Sequence, residues 1–591
     1  MKAYPEIVRR RRARAAMWFN AAAFVCAVAC AADVIFVAGW QSDATRLALT
    51  GLAVAAVALA FFVSEVWRVF LLEESVSEYV RRCVPETLLT LAIPCAGAAF
   101  LFFAPGWPWN WSAGTWAFFH CATALPPALT ACIRALRFRR NFVPTQNLTP
   151  GRVFMLSFAA LIAAGTLLLM TPRATVSGIA FTDALFFATS AVCVTGLVPV
   201  ASLPETLTGF GQCIILALAQ LGGLGVMAIT YFFAYFFAGG LSIRNRFAFQ
   251  DLFSEENMTQ IGLVLGVLVG FTLSVEAVGA AWIYFSFAQG AVADPIFFSV
   301  FHSVMAFCNA GFSTLPNGLA TPGVPDCTVF LGGIIALSVI GGIGFPVWKN
   351  FFLVACDSLR RRFSRKLNDE PPVRLSTHTK IVICTSAALL AAGVVLLLLT
   401  AHRAGGGIGF MRAFFLSATT RTAGFDIGDP ALLPTGTLLV MMVLMFIGGA
   451  PFSTAGGIKV TTFAVAVLAL RQFLSGNRDL EIFRRRLDSD VANQALVVVL
   501  LSGLLFAAVA IALCMLHPEL DAEFLIFEAV SAVATVGLSC DVTPKLCTEA
   551  KLLLTFAMFV GRIGVLVFLA SFWRRRRPTG ARFPEDTIVL T

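Results

Sequence analysis

FFATSAVCVTGL (186–197), FHSVMAFCNAGF (301–312), FFLSATTRTAGF (414–425) and FEAVSAVATVGL (527–538) share one frame. In each, a phenylalanine precedes a glycine by ten residues: Phe186 and Gly196, Phe301 and Gly311, Phe414 and Gly424, Phe527 and Gly537. Phenylalanine is 56 of 591 residues, so matching the other three positions by accident has odds of about one in a thousand. Each glycine is also followed by Leu or Phe. A second glycine series trails the first: LGGLG at Gly222, IGGIG at Gly341, IGGAP at Gly448 and VGRIG at Gly561. The chain therefore repeats one unit four times. Each unit is a long apolar segment, a short apolar segment ending in a glycine turn, and a second long apolar segment opening through glycines.

The solvent for these units follows from composition. At 58% hydrophobic and 13% charged residues, with mean hydropathy +0.84, the chain has too much apolar surface for a soluble fold to bury. Runs of about 20 uncharged residues match the length a helix needs to cross hydrocarbon, whereas a barrel would read as short alternating strands. Cysteines number 15, with several inside apolar runs (Cys26, Cys30, Cys384, Cys514) and none in a CxxC pair. They read as small hydrophobes; Cys540 and Cys547 share one external loop and are a candidate pair, at short spacing.

The net charge of +10 is gathered into clusters that flank apolar segments, a topology signal rather than a nucleic-acid footprint. Four spans are expected before the repeats, near 15–38, 47–71, 87–103 and 114–133. RRRRAR and RALRFRRN place the N-terminus in the cytoplasm, and Trp107, Trp109 and Trp111 suit the far interface. Basic runs after every second helix of a repeat, near Arg244, Arg360, Arg484 and Arg574, give all four repeats one orientation. The expected organisation is all-α and polytopic: a four-helix membrane extension at 1–148, pore repeats at 149–258, 259–377, 378–491 and 492–577, and a cytoplasmic tail at 578–591.

The short segments, about ten residues or 15 Å as helix, cannot span. They and their return strands must be buried in protein or line a watered path. Asp294 before Pro295 is an N-cap signature, with Asp183 and Asp521 suiting the same place; the third unit lacks the acid. Four such half helices aim their C-terminal ends, each about half a negative charge, at a common axis. Just beyond, the peptides at Thr195, Gly196 and Leu197, at Ala310, Gly311 and Phe312, at Ala423, Gly424 and Phe425, and at Val536, Gly537 and Leu538 can turn carbonyls inward. Rings of neutral carbonyls suit a weakly hydrated monovalent cation; a divalent site would call for carboxylates. For Gly222, Gly223, Gly341 and Gly342, close helix packing is an equally good reading.

At these residues the chain resembles the Trk/Ktr/HKT superfamily of cation transporters, and within it the membrane subunits of bacterial Ktr potassium uptake systems. The resemblance runs from 149 to about 577 and rests on FHSVMAFCNAGFS, TTRTAGF, FEAVSAVATVGLS and GGAPFSTAGGIK. It implies four membrane-pore-membrane units around one pathway, with Gly196, Gly311, Gly424 and Gly537 as filter glycines. It also implies potassium, bound only at the filter, as the transported ion, because sodium-favouring relatives carry serine where this chain has Gly196; sodium enters as a candidate activator, and no cofactor is implied. GGAPFSTAGGIK (448–459) resembles the intramembrane gate, made of Gly448, Gly449, Ser453, Thr454, Ala455, Gly456, Gly457 and Lys459, with Arg562 of the last span beneath the filter. The family more usually has small residues where Ala450 and Phe452 stand, and Phe452 is a bulky departure. The resemblance further implies a homodimer in the bacterial cytoplasmic membrane, in contact with lipid and gated by a ring of soluble RCK-type nucleotide-binding subunits; the four-helix extension lies outside it.

Other residues have more local readings. Arg421 is expected to brace the filter from behind, and Glu276 and Glu528 to act as structural hydrogen-bond acceptors. An ion pair with a buried acid is the alternative for Arg562. Among other functions, a sodium or non-selective monovalent cation transporter of the same superfamily is the near alternative. Alternating-access carriers commonly show inverted repeats, whereas these run parallel. An intramembrane enzyme would need a nucleophile and base constellation, and no HExxH, triad-like motif or Walker sequence is present.

Overall fold

Apolar stretches too long for a soluble core and too uniform for strands become helices throughout. The computed structural model describes residues 44–71, 150–238, 261–288, 292, 294–324, 326–363, 372–403, 407–476, 480–483 and 485–572, with scattered positions between 25 and 39 and between 93 and 130. The second expected N-terminal span is helix α1, Ala44–Leu71. Most of the first, third and fourth spans, the Trp107 to Trp111 cluster, the basic run near Arg244, Arg484, the run at 574–577 and the tail lie outside the described residues.

The first repeat is α2 (Pro150–Leu169), the short α3 (Phe181–Val192) and α4 (Gly209–Ala238). The second is α5 (Ile261–Ile283), α6 (Pro295–Cys308), α7 (Thr328–Ile343) and α8 (Phe345–Phe363). The third is α9 (Thr377–Arg403), α10 (Phe410–Thr419), α11 (Thr435–Phe446) and α12 (Val460–Leu474). A hairpin, β1 (Leu480–Ile482) with β2 (Arg485–Leu487), leads to the fourth: α13 (Ser489–Leu516), α14 (Ala522–Val533), α15 (Thr548–Ile563) and α16 (Val565–Phe572). Among the described residues, three helical segments are long and apolar enough to cross a bilayer alone: Gly266–Phe287, Thr377–Arg403 and Asp490–Leu516. The protein is an all-α polytopic membrane protein.

Two features of the second helices depart from a simple span. Repeats two and four bend sharply, by 94° between α7 and α8 and by 92° between α15 and α16, at Gly344 and Gly564. Both glycines have φ near +90°, a backbone that side chains reach only at a cost. The second departure is the hairpin, whose register pairs Leu480 with Leu487 and Ile482 with Arg485 around Phe483 at φ 49°. Leu480 packs with Val465, Ala492 and Ala495, so a stretch that reads as a plain basic run is a folded connector.

The chain separates into two compact units. One comprises 1–147, 164–184 and 202–215. In it, Arg173 donates from Nη1 to Val37 O at 3.1 Å and from its backbone N–H to Gly39 O at 3.0 Å. It also buries a polar cluster: Asp33 Oδ2 lies 2.6 Å from His120 Nδ1, and Thr50 Oγ1 lies 3.5 Å from His120 Nε2.

The other unit, 148–163, 185–201 and 216–591, holds the four glycine turns. Within it α6 packs between α5 and α7, α10 against α9, and α14 between α13 and α15. Each of α10 and α14 also leans on the second helix of the preceding repeat, α7 and α11. Asp294 caps α6 through Phe297 N–H at 3.2 Å, whereas Asp521 occupies the cap position of α14 without a side-chain bond and α10 is capped by Gly409. Beyond the last long span, His517 Nδ1 lies 2.6 Å from Glu519 Oε1, a hydrogen bond that holds the Glu519 carboxyl below its ordinary range, and His517 Nε2 accepts from Cys547 N–H at 3.0 Å. Cys540 and Cys547 are both free thiols.

Candidate ion pathway

The four short helices carry 12, 14, 10 and 12 residues, about 15–21 Å each, less than a bilayer. All four lead to the same backbone sequence. Two residues before each repeat glycine the chain turns left-handed, at Val194 (φ 55°), Asn309 (φ 59°), Thr422 (φ 79°) and Thr535 (φ 50°). The glycines then have φ of 98°, 65°, 73° and 104° at Gly196, Gly311, Gly424 and Gly537. Asn309 tolerates that geometry, but β-branched Val194, Thr422 and Thr535 adopt it only at a cost, which the surrounding contacts must offset.

The glycines form a closed ring. A Cβ on Gly196 would overlap Ala310 O and stand 3.0 Å from the Cα of Gly311. One on Gly311 would stand 2.9 Å from Gly424 O; one on Gly424 would overlap Val536 O, 3.1 Å from the Cα of Gly537. One on Gly537 would overlap Thr195 O, 3.1 Å from the Cα of Gly196, which completes the circuit. The repeats succeed one another around the ring in chain order. Glycine is required twice over, by φ and because the neighbouring strand's backbone fills the space a side chain would need.

The residues after the glycines anchor the strands. Leu197, Phe312, Phe425 and Leu538 are all buried, as are Phe186, Phe301 and Phe527 of the repeat signature. Serine hydroxyls hold two of the turns from behind: Ser190 Oγ accepts from Gly196 N–H at 3.1 Å and donates to Leu197 O at 2.8 Å, and Ser531 Oγ accepts from Gly537 N–H at 3.0 Å. Leu197 O is thereby engaged away from the ring. Repeats two and four share a second brace at matching positions. His302 donates from Nδ1 to Phe298 O at 2.9 Å and places Nε2 2.9 Å from Ser313 Oγ; Glu528 accepts from Ser539 Oγ and, at 2.9 Å, from Thr543 Oγ1. His302 lies inside one of the four aligned segments, and its matching position with Glu528 was the signal available for it. Buried hydroxyls of Thr195, Thr422 and Thr535 have no hydrogen-bond partner.

The second glycine series is a packing device. A Cβ on Gly222, Gly341 or Gly561 would overlap the carbonyl of Val192, Phe307 or Val533, in each case four residues before the ring glycine of the same repeat. Gly223 would press on Cys308 Sγ at 2.9 Å, whereas Gly342 has room, with Asn309 Nδ2 at 3.8 Å. In repeat three the pattern breaks because the helix itself is replaced: Gly448 faces Gly456 O, within an irregular loop between α11 and α12.

That loop touches all four repeats. Thr454 Oγ1 donates to Phe307 O at 3.0 Å and accepts from Asn309 Nδ2 at 2.9 Å, while its Cγ2 is 3.6 Å from a Cβ placed on Gly223. A Cβ on Gly456 would overlap Thr535 Oγ1. Ser453 Oγ donates to Ala450 O at 2.6 Å, Gly448 N–H donates to Ile458 O at 2.9 Å, Ala450 N–H to Gly342 O at 2.9 Å, and Lys459 Nζ to Ala455 O at 2.7 Å. Gly449 packs on Ala455, Gly457 takes φ 62°, and bulky Phe452 also sits left-handed at φ 59°. Arg562 Nη1 donates to Thr454 O at 2.7 Å; its Nε and Nη2 have no hydrogen-bond partner, and among the described residues no acid pairs with it. Arg421 reaches back to Ser386, to its O and Oγ at 3.1 Å each, with Gly448 O at 3.5 Å. Glu276 accepts from Gln220 Nε2 at 3.1 Å.

Most of the chain is similar to known proteins. Residues 136–575 match the family described as TrkH, cation transport protein. The chain is 33% identical over 444 residues to the Ktr system potassium uptake protein B of Vibrio alginolyticus, covering 74% of this chain and 94% of that protein. It is 31% identical over 472 residues to the potassium/sodium uptake protein NtpJ of Enterococcus hirae, covering 77% and 98%. The crystal structure of the potassium transporter TrkH from Vibrio parahaemolyticus superposes with TM-score 0.58 at 19% identity, covering 85% of this chain and all of that one. The extent of the family match and the identity to full-length relatives place the chain in the TrkH family of cation transport proteins.

Proposed function

We propose that the protein takes up potassium through the ring formed by Gly196, Gly311, Gly424 and Gly537. The observation that carries this reading is the closed circuit itself, in which each glycine lies against a backbone carbonyl of the next repeat. Four half-helix C-termini point their negative ends at that circuit, and carbonyls of Thr195, Ala310, Gly424 and Val536 stand at it, an array suited to replacing the hydration shell of a monovalent cation. The remaining peptides at Leu197, Phe312, Ala423, Phe425 and Leu538 anchor the same strands. Beneath them, the 448–459 loop serves as the gate, held by Lys459 through Ala455 O, with Arg562 as a positive charge that a cation must pass. The sequence relatives named for potassium uptake support the choice of ion.

The protein works in the bacterial cytoplasmic membrane with its N-terminus inside, as a homodimer whose gate responds to a cytoplasmic nucleotide-binding ring. A second reading, transport of sodium beside potassium, draws on the relative named for both ions. Rubidium and sodium fluxes in proteoliposomes, compared for the wild type and Gly196→Ser, test both. A serine Cβ would overlap Ala310 O at φ 98°, so discrimination against sodium is expected to weaken. Unchanged selectivity would remove Gly196 from the filter, and equal rubidium and sodium fluxes in the wild type would favour the second reading.

A further inference from the structure

We propose that α8 lies in the membrane plane as an amphipathic helix seated on anionic lipid headgroups of the cytoplasmic leaflet, and that through its first residues it biases the loop beneath the glycine ring. The 94° bend after α7 is the first support. At 16 residues, about 24 Å, α7 traverses most of the hydrocarbon, and a helix turned through a right angle at its end runs near the inner surface, where one apolar face can enter the headgroup boundary.

The sequence of α8 is built for that position. Phe352, Cys356 and Leu359 recur at three- and four-residue spacing and form the outward apolar stripe, while Phe345 and Trp348, on the same line in the first turn, pack against Phe271. Phe352 is 69% and Leu359 59% exposed. The last turn carries Arg360, Arg361 and Arg362. Arg361 Nε donates to Asp357 Oδ2 at 2.7 Å, one turn back. Arg360 and Arg362 are exposed and lie roughly 80° to either side of the stripe, where their stems flank the apolar face and their guanidinium groups reach phosphate.

Phosphate-bearing lipid suits this face better than the other occupants. In a two-fold contact between copies the same arginines would approach one another. A soluble partner would bury Phe352 and Leu359 only by covering a helix that the bend already lays along the hydrocarbon boundary, and the lipid-retention measurement separates the two.

The helix also touches the loop. Phe345 N–H donates to Phe452 O at 3.4 Å, a Cβ on Gly344 would stand 2.7 Å from Pro451 O, and Val347 packs with Ala450 and Val382. Seating or lifting α8 therefore acts on 450–452 through backbone contact, without a partner protein.

The inference rests on the transport reading only for its flux readout. Rubidium flux is measured for the wild type and the double variant Arg360→Gln, Arg362→Gln in vesicles of phosphatidylcholine and of phosphatidylcholine with phosphatidylglycerol, alongside native mass spectrometry of retained phosphatidylglycerol. Wild-type flux is expected to change several-fold with phosphatidylglycerol, and the double variant to respond much less. Retention should weaken about fivefold for each arginine removed. Phe352→Gln should blunt the lipid response with the arginines in place.

Equal wild-type flux in both lipids, or equal retention by wild type and double variant, overturns the proposal. So does a change in oligomeric mass on removing the arginines with no change in lipid retention, which assigns the face to a second copy. Lipid dependence that persists in both variants but disappears on adding a soluble cytoplasmic fraction assigns it to a protein and overturns the proposal equally. No rubidium flux in any lipid sinks the transport reading, while retention still decides the lipid seat.

Discussion

A single methyl group distinguishes the roles of the two glycine series. On Gly424 it would overlap Val536 O with φ at 73°; on Gly342 its nearest neighbour is Asn309 Nδ2 at 3.8 Å. Gly424→Ala forces about 1–2 kcal/mol of left-handed strain and must also displace the backbone of the next repeat. Rubidium flux is expected to fall more than about tenfold for Gly424→Ala and to stay within about twofold for Gly342→Ala. Comparable losses in both variants, at equal protein yield, would mean that the ring's close approach is not what flux depends on. Arg562 shows the same dependence on surroundings. Its residue type, charged and inside a span, was conspicuous in the sequence, but whether it met an acid or a carbonyl was set by the path of a loop 108 residues earlier.

Among the elements, the bends at Gly344 and Gly564 look alike in backbone, with φ of 88° and 89°, but not in company. Nothing lies within 4 Å of a Cβ on Gly564, whereas one on Gly344 meets Pro451 O at 2.7 Å. Alanine at Gly564 bears the φ penalty alone; at Gly344 it also pushes the loop. Gly344→Ala is therefore expected to lower the thermal midpoint more than Gly564→Ala, by on the order of 1 kcal/mol or more in unfolding free energy, and to alter flux where Gly564→Ala does not. Equal midpoints would show that the loop yields freely at Pro451.

What the sequence made legible follows from the same contrast. The short helices, the ring glycines and the irregular 448–459 loop were readable because half-membrane length and glycine in a fixed frame leave few physical alternatives. The bends were not, because the apolar run of IGGIGFPVW continues through Gly344 without a polar break. The hairpin at 480–487 was hidden under its arginines, since FRRRLD reads as a topology signal whether or not its backbone pairs. Asp33 and His120, 87 residues apart on separate apolar segments, gave no local sign that they would meet. The second glycine series stayed ambiguous for a related reason: packing against a carbonyl four residues before the ring is a tertiary fact.

At the scale of the whole repeat assembly, ring closure makes each strand's geometry depend on its neighbours, because the space denied to one glycine's side chain is occupied by the next strand's backbone. Repeats one and four meet where a Cβ on Gly537 would overlap Thr195 O and stand 3.1 Å from the Cα of Gly196. The serines behind these two turns, Ser190 and Ser531, each bond the amide of their own ring glycine. Removing either hydroxyl leaves a buried N–H without its acceptor and loosens one side of a shared contact, at about 1–3 kcal/mol. If the ring is one mechanical object, the second removal acts on a contact already relaxed, and the effects of Ser190→Ala and Ser531→Ala fall short of additivity. A double-mutant cycle on thermal stability and on rubidium-over-sodium flux is expected to show a coupling of at least about 0.5 kcal/mol between them. Strict additivity in both measurements would mean that the four turns hold their shapes independently, each fixed by its own short helix, and that closure of the circuit is a consequence of the fold with no part in stabilising it.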